Sequence, residues 1–208
     1  MKIKITWTVP NILTTIRLLA IPFMAVFIYS SGKPGAKGHF YSVLAFAFFV
    51  GIWLTDAADG FIARHFNQIS EFGKIYDPFV DKLFQFTTAL MMFIIGRIPM
   101  WVVMFIVLKE ALMIAGGAYL LKTHKIVVHS RWYGKLSTVL FVIALASVFF
   151  VQSIFSDNWR LATNLIFVSP VLMSAFATVC YAVTMFKDSS KLGDSDTKEY
   201  MEIEETKV

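Results

Sequence analysis

The sequence predicts an all-α integral membrane protein of six transmembrane helices, with its candidate site at the cytoplasmic end of the bundle. Three observations carry that prediction. Hydrophobic residues fill 57% of the 208 positions against 16% charged, and the mean hydropathy is +0.67. That balance belongs to chains solvated by lipid rather than to globular domains built round one buried core. Six apolar runs approach or reach the length needed to cross a hydrocarbon layer of roughly 30 Å. Finally, Asp56, Asp59, Asp77 and Asp81 lie at the ends of two of those runs, where a carboxylate is costly unless something neutralises it.

Taken in order, residues 1–9 alternate Lys2, Ile3, Lys4 and Ile5 ahead of Trp7 and suit a short interfacial segment lying against head groups. They offer no separate apolar region with a small-residue cleavage site, so the first helix is expected to be retained. Pro10 and Asn11 read as a helix start, with Asn11 as N-cap. The first run, Ile12–Tyr29, carries Arg17. On a helix Asn11, Thr14 and Arg17 share an arc of about 120°, a polar stripe expected to line a cleft beside the aspartates. Ser30–Lys37 is rich in Ser, Gly and Pro and forms a loop.

The second run, Phe40–Thr55, ends at Asp56, so its helix must extend into polar surroundings as far as Arg64 or just beyond. His65–Gly73 turns the chain. The third run, Phe79–Gly96, then returns antiparallel with Asp77 and Asp81 at its start, and Pro78 is expected in the first turn, where a missing N–H costs little. Arg97, Ile98 and Pro99 make a tight turn into the fourth run, Pro99–Leu121, which Lys109 and Glu110 interrupt. An ionisable pair at that depth is a functional hypothesis by default. The basic stretch Lys122–Lys135 leads to the last two runs, Leu136–Phe155 and Leu161–Phe186. From Lys187 the chain is polar and mixed in charge and reads as a disordered end. The expected organisation is thus an interfacial segment at 1–9, a six-helix domain at 10–186 and a tail at 187–208. Cys180 is the single cysteine, so neither a disulfide nor a thiolate metal site can form within the chain.

The net charge of +5 is spread unevenly over the loops. An even number of spans puts both termini on one side, together with Lys2, Lys4, Arg64, Lys74, Lys82, Lys122, Lys125, Arg131, Lys135 and the tail lysines. Lys33, Lys37, Arg97 and Arg160 fall on the other. The positive-inside rule places the termini and the aspartates in the cytoplasm, in a multi-pass protein of the cell membrane. Such residues also anchor anionic head groups, so membrane lipids, and no nucleic acid, are the expected surroundings.

The chemistry lies in the aspartates. Asp56 and Asp59 are spaced i,i+3 and Asp77 and Asp81 i,i+4, so each pair projects from one helix face. Two such helices facing each other bring four anions to one place. An all-oxygen donor set favours Mg²⁺ or Mn²⁺ over zinc, and four shared carboxylates could hold two ions about 3.5 to 4 Å apart. That is an arrangement suited to phosphoryl transfer.

The eight fixed positions of Asp56-x2-Asp59-Gly60-x2-Ala63-Arg64-x8-Gly73-x3-Asp77-x3-Asp81 resemble the signature of the CDP-alcohol phosphatidyltransferases. Over Pro10–Leu140 the chain is most similar to the bacterial phosphatidylglycerophosphate synthases of that family. The resemblance implies transfer of a phosphatidyl group from CDP-diacylglycerol to glycerol 3-phosphate with release of CMP, and a homodimer. It implies Asp56, Asp59, Asp77 and Asp81 as metal ligands, with Asp81 also taking the acceptor proton. Arg64 and Lys74 would add positive charge on the pyrophosphate, Gly60 and Gly73 would make room for cytidine and ribose, and Asn11 and Thr14 would line the CDP-lipid cleft. Lys109, Arg131 and Lys135, with Arg17 in reserve, would hold the acceptor phosphate.

The chain departs from that branch where Lys109-Glu110 replaces the usual Arg-Glu, exchanging a bidentate phosphate ligand for a point charge. Cardiolipin synthesis, with phosphatidylglycerol as acceptor, is therefore the alternative within the family, followed by an inositol-phosphate acceptor. From another class comes a six-span cation transporter or a metal-binding membrane protein. Transporter carboxylates usually sit near the midplane in repeated halves, whereas these cluster at helix ends and no repeat is visible.

Overall fold

The computed structural model describes the backbone at residues 9–65, 73–124 and 132–205, with side chains over most of the same stretches. Among the described residues the chain forms six α-helices: α1 (Val9–Ser31), α2 (Ala36–His65), α3 (Gly73–Ile94), α4 (Met100–His124), α5 (Trp132–Phe155) and α6 (Trp159–Glu205). A 3₁₀ turn, Ser156–Asn158, joins the last two. Each of the six apolar runs is a helix. Among the described residues four stretches are long and apolar enough to cross a membrane, namely Asn11–Ser31, Ala36–Asp56, Trp132–Phe155 and Trp159–Val183.

Two compact units divide the chain. The first comprises residues 1–104 and 142–167, the second residues 105–141 and 168–208. In the first unit α1 packs against both α2 and α3. Its buried face is Asn11, Thr14, Arg17, Ile21, Met24 and Ile28, repeating every three or four residues as one stripe of a helix must. The stripe changes character partway along. It is polar to Arg17 and apolar from Ile21, so the same face meets a polar site at one end and a hydrophobic core at the other. The neighbouring helices bury Ala45, Phe49 and Ile52 of α2 and Val80, Phe84, Ala89 and Met92 of α3. Phe49 is the centre of an aromatic cluster, 5.1 Å from Phe84 and 5.7 Å from Phe149 between ring centroids, within the range where edge and tilted ring pairs add to area burial.

The outward face of α1 is apolar as well: Ile16, Leu19, Phe23, Val26 and Tyr29 are all exposed. Leu161, Leu165, Leu172, Val179 and Val183 repeat this along α6. Helices with so much apolar surface turned outward are at home in lipid and not in water.

In the second unit Phe105 of α4 stacks on Phe141 of α5 at 6.2 Å. Tyr133 at the start of α5 meets Phe176 and Tyr181 of α6 edge-on at 6.2 and 5.2 Å.

The turns follow from glycines. Gly96, at φ +74°, ends α3: its N–H donates to the carbonyl of Phe93 and the N–H of Arg97 to that of Met92, both at 2.8 Å. This is a Schellman stop, which needs a left-handed residue and so favours glycine. At Gly38 a Cβ would collide with the carbonyl oxygen of Lys33, which folds over the start of α2.

Three local expectations differ. The first helix begins at Val9, two residues before Asn11, so Asn11 is no N-cap; its carbonyl accepts the Thr15 hydroxyl at 2.8 Å and its side chain is buried. Pro10, preorganised for a first turn, explains the earlier start. Pro78 lies inside α3, because the helix starts at Gly73, and its missing N–H leaves the carbonyl of residue 74 without an intrahelical donor. The backbone of residues 187–205, expected to be disordered, continues α6. Asp194, Lys198 and Glu202 follow at four-residue spacing, an alternation of charge that favours a helix. The interfacial reading of residues 1–9 falls on residues outside the described ones, apart from Val9.

Candidate active site

The polar end of the α1 stripe faces carboxylates of the two neighbouring helices. Arg17 Nη1 lies 2.7 Å from Asp56 Oδ1 of α2 and 2.6 Å from Asp81 Oδ1 of α3. Its side chain is 1% exposed, whereas those of Asp56 and Asp81 are 39% and 45% exposed. The carboxylates thus open toward solvent while the cation that joins them is enclosed. Three residues before Arg17, the Thr14 hydroxyl donates to Asp77 Oδ1 at 2.5 Å. Beside them the Tyr76 hydroxyl is 3.4 Å from Thr15 Oγ1.

Each contact follows from local periodicity. Thr14 and Arg17 are i,i+3 on α1, and Asp77 and Asp81 are i,i+4 on α3, so two adjacent turns of one helix meet two adjacent turns of the other. Asp56 continues the buried series Ala45, Phe49 and Ile52 of α2 at a spacing of four, which aims it at the same place. A charged group buried this completely must be paired, since an isolated one would cost several kcal/mol. Two half-exposed carboxylates on one guanidinium meet that demand and keep open faces of their own.

Of the residues singled out in the sequence, the structure therefore brings Thr14, Arg17, Asp56, Asp77 and Asp81 together. Gly73 opens α3 one turn before Asp77 and is buried. Asp59, Gly60 and Arg64 belong to α2 by their backbone; their side chains, that of Lys74, and Arg131 altogether lie outside the described residues. Lys109 and Lys135 belong to the second unit. There Lys109 Nζ lies 3.0 Å from Glu110 Oε1 and 5.7 Å from the centroid of the Phe141 ring, and Lys135 is exposed.

Arg17 is the residue whose place the sequence did not give. Its spacing from Thr14 put it on the right face, but pairing with aspartates 39 and 64 positions away is a tertiary fact. Tyr76 carried no sequence signal beyond preceding Asp77.

Among the described residues no group of three His, Cys, Asp or Glu side chains is placed to hold a metal ion. The donor chemistry nonetheless suits a hard divalent cation: Asp56 and Asp81 offer carboxylate oxygens, half-open to solvent, that converge on a single positive centre, Arg17 Nη1.

A family model described as CDP-alcohol phosphatidyltransferase matches residues 7–186. The chain is 30% identical to a probable phosphatidylglycerophosphate synthase of Mycobacterium tuberculosis, over 86% of this chain and 81% of that protein. It is 29% identical to a CDP-diacylglycerol–glycerol-3-phosphate 3-phosphatidyltransferase of Aquifex aeolicus, over 86% of this chain and 96% of that one. A putative cardiolipin synthase of Mycobacterium bovis is 33% identical over 70% of this chain and 66% of its own length.

The Arg17 pairing is testable by a double-mutant cycle. In detergent, Arg17→Leu should destabilise the protein less in an Asp81→Asn background than in the wild type, with a coupling of about 1 to 2 kcal/mol, kept modest by the exposure of Asp81. Strict additivity of the two unfolding free energies would mean that the guanidinium is not held between the helices.

Proposed function

The chain belongs to the CDP-alcohol phosphatidyltransferase family, and from that premise we propose that it transfers the phosphatidyl group of CDP-diacylglycerol to glycerol 3-phosphate, giving phosphatidylglycerophosphate and CMP. The observation that carries this reading is the convergence of Asp56, Asp77 and Asp81 on one polar patch of α1, within the eight-position pattern that runs from Asp56 to Asp81. The multi-pass membrane character of the chain suits a substrate whose acyl tails stay in the bilayer while its head group reacts at the rim. The reading includes six spans, a cell-membrane location with the aspartates and both termini in the cytoplasm, and a homodimer; the loop charges support the orientation.

In the reaction, an acceptor hydroxyl oxygen bonds to the phosphorus that bears diacylglycerol, the bond from that phosphorus to the pyrophosphate bridging oxygen breaks, and CMP departs with the electron pair. Asp81 receives the hydroxyl proton. Mg²⁺ or Mn²⁺, two ions held by Asp56, Asp59, Asp77 and Asp81, would neutralise the pyrophosphate and polarise the phosphorus. Thr14 fixes Asp77 through its hydroxyl. Arg17 holds Asp56 and Asp81 at a common point, so the helices need not collapse or spread when charge at the site changes. Arg64 and Lys74 add positive charge toward the donor, Asn11 lines its cleft, and Gly60 and Gly73 leave it room. Lys109, Arg131 and Lys135 take the acceptor phosphate.

Cardiolipin synthesis is the second reading, and one observation favours it. Lys109 is engaged by Glu110 at 3.0 Å, which leaves less positive charge for a phosphorylated acceptor.

Release of CMP from CDP-diacylglycerol in detergent tests the donor half. Asp56→Asn and Asp77→Asn should each lower the rate by several orders of magnitude with folding retained, and excess EDTA should stop it reversibly. Full turnover in EDTA would remove the metal from the scheme. For the acceptor, glycerol 3-phosphate and phosphatidylglycerol compared side by side should favour the former. Lys109→Ala and Lys135→Ala should raise its KM by about tenfold or more, as loss of a charge-assisted hydrogen bond of about 1.5 to 3 kcal/mol implies. Wild-type KM values in both variants, with phosphatidylglycerol the better acceptor, would select the cardiolipin reading. For orientation, in a Cys180→Ser background within intact cells, a thiol in place of Gly35 should react with an impermeant reagent and one in place of Asn67 should be protected. The opposite labelling would invert the topology.

A further inference from the structure

At the end of the first unit away from the aspartates, the chain builds a cationic cavity that the transfer reaction does not use. The Schellman stop at Gly96 turns Arg97 back under the ends of α1 and α2, where its Nη2 donates to the Ser31 carbonyl at 3.0 Å and to Ser42 Oγ at 2.9 Å. Ser31 is fourteen residues from Arg17 on the same helix, so this point is about 21 Å from the aspartates at 1.5 Å rise per residue. Arg97 is only 9% exposed, yet its Nη1 has no hydrogen-bond partner. Burial pushes the guanidinium below the usual arginine pKa, as expected for a cation enclosed without a counter-charge.

Arg97 lines a cavity of about 180 Å³, far larger than one water needs. Its other walls are the rest of the loop at 96–99 and Trp159, Arg160, Thr163 and Asn164 of α6. The Arg160 guanidinium lies over the Trp159 ring at 5.3 Å, which engages its face and leaves its in-plane N–H donors for another partner. Asn164 is held in place, its Oδ1 accepting the Trp101 indole N–H at 2.9 Å and its Nδ2 donating to the Arg160 carbonyl at 3.0 Å.

The first turn of α4 begins at the same loop and contains no acidic residue, so its N–H groups and positive dipole end add to the field there. The nearest carboxylate in sequence is Asp157, which is exposed and does not line the cavity. Neither arginine has an ion-pair partner among the described residues.

The Thr163 hydroxyl donates to the Trp159 carbonyl at 2.9 Å, but an unpartnered buried guanidinium N–H, a second arginine, the second amide N–H of Asn164 and a helix N-terminus round one cavity together make a receptor for a tetrahedral oxyanion. Met100, Met104, Leu161 and Leu165, on the two helices that leave it, are all exposed and offer apolar ground for acyl chains. We propose that this cavity binds the phosphate of an anionic phospholipid head group, in the leaflet opposite the one in which the aspartates work. The lipid would complete Arg97 and tie the α3–α4 loop to the start of α6.

Thermal unfolding of the detergent-purified protein, titrated with short-chain phosphatidylglycerol, short-chain phosphatidylcholine or inorganic phosphate, tests this. Phosphatidylglycerol should raise the Tm saturably. Arg160→Gln, an exposed change that spares folding, should move the half-saturating concentration up by about tenfold, the effect of losing one charge-assisted hydrogen bond, while leaving CMP release unchanged. Arg97→Lys, which cannot serve Ser31, Ser42 and a phosphate together, should weaken binding as well, and its own Tm without lipid reports any damage to the fold. An equal rise with inorganic phosphate would overturn the lipid assignment in favour of a free phosphate. An Arg160→Gln titration that superimposes on the wild type would overturn the site and leave Arg97 as a staple between helices.

Discussion

The polar end of the first unit's inner stripe is organised by one enclosed cation. Arg17 is buried on a helix whose outer face is apolar, and the desolvation of a guanidinium there is acceptable only because Asp56 and Asp81 reach it from two other helices. The pairing fixes the register of α1 against α2 and α3 at their polar ends, as Met24, Ile28, Phe49 and Met92 fix it at their apolar ends. The two kinds of contact differ in what they tolerate. The apolar end is close-packed and indifferent to charge, whereas the polar end holds three carboxylates of which two are half-open to solvent. A bundle with that gradient is rigid where it needs only to persist and electrostatically adjustable where substrates arrive.

This division also explains why the acidic residues sit at helix ends. Near the middle of the bundle Asp56 would occupy the place that Phe49 fills, with no cation in reach and no water. One and two turns from the rim, both are available. The same logic runs in reverse at the far end, where Arg97 is held by a backbone carbonyl and a serine hydroxyl and no carboxylate at all. Among the described residues, the unit thus groups carboxylates round an arginine at one end and leaves an arginine without a carboxylate at the other.

Much of this was legible in the sequence. The six apolar runs gave six helices, because runs of that length and hydropathy admit no other regular structure in lipid. The i,i+3 and i,i+4 spacings placed the aspartates on single faces, and the 100° rule placed Thr14 and Arg17 on the buried stripe. What stayed hidden was pairing. Nothing local says that Arg17 meets Asp56 and Asp81 rather than a substrate phosphate, since both partners are anions and only the packing of α1 against α2 and α3 chooses between them. Helix ends were misjudged where two local rules compete: Asn11 suits a cap, but Pro10 starts a helix just as well, and Pro78 suits a first turn but α3 accommodates it further in. The charged residues after Lys187 read as disorder by composition and as helix by spacing, and composition alone does not decide.

The change from polar to apolar along the inner stripe of α1 has a consequence for how the chain comes to be. Ribosomal synthesis delivers α1 before α2 and α3, and Asp81 lies 64 residues downstream of Arg17. Until α3 is made, the guanidinium lacks Asp81, so α1 enters the membrane with its charge incompletely answered. Its outer face, Ile16, Leu19, Phe23 and Val26, already prefers lipid. The hydrophobic half can therefore commit to the bilayer at once, while the other half waits near the head groups for the rest of the polypeptide to arrive.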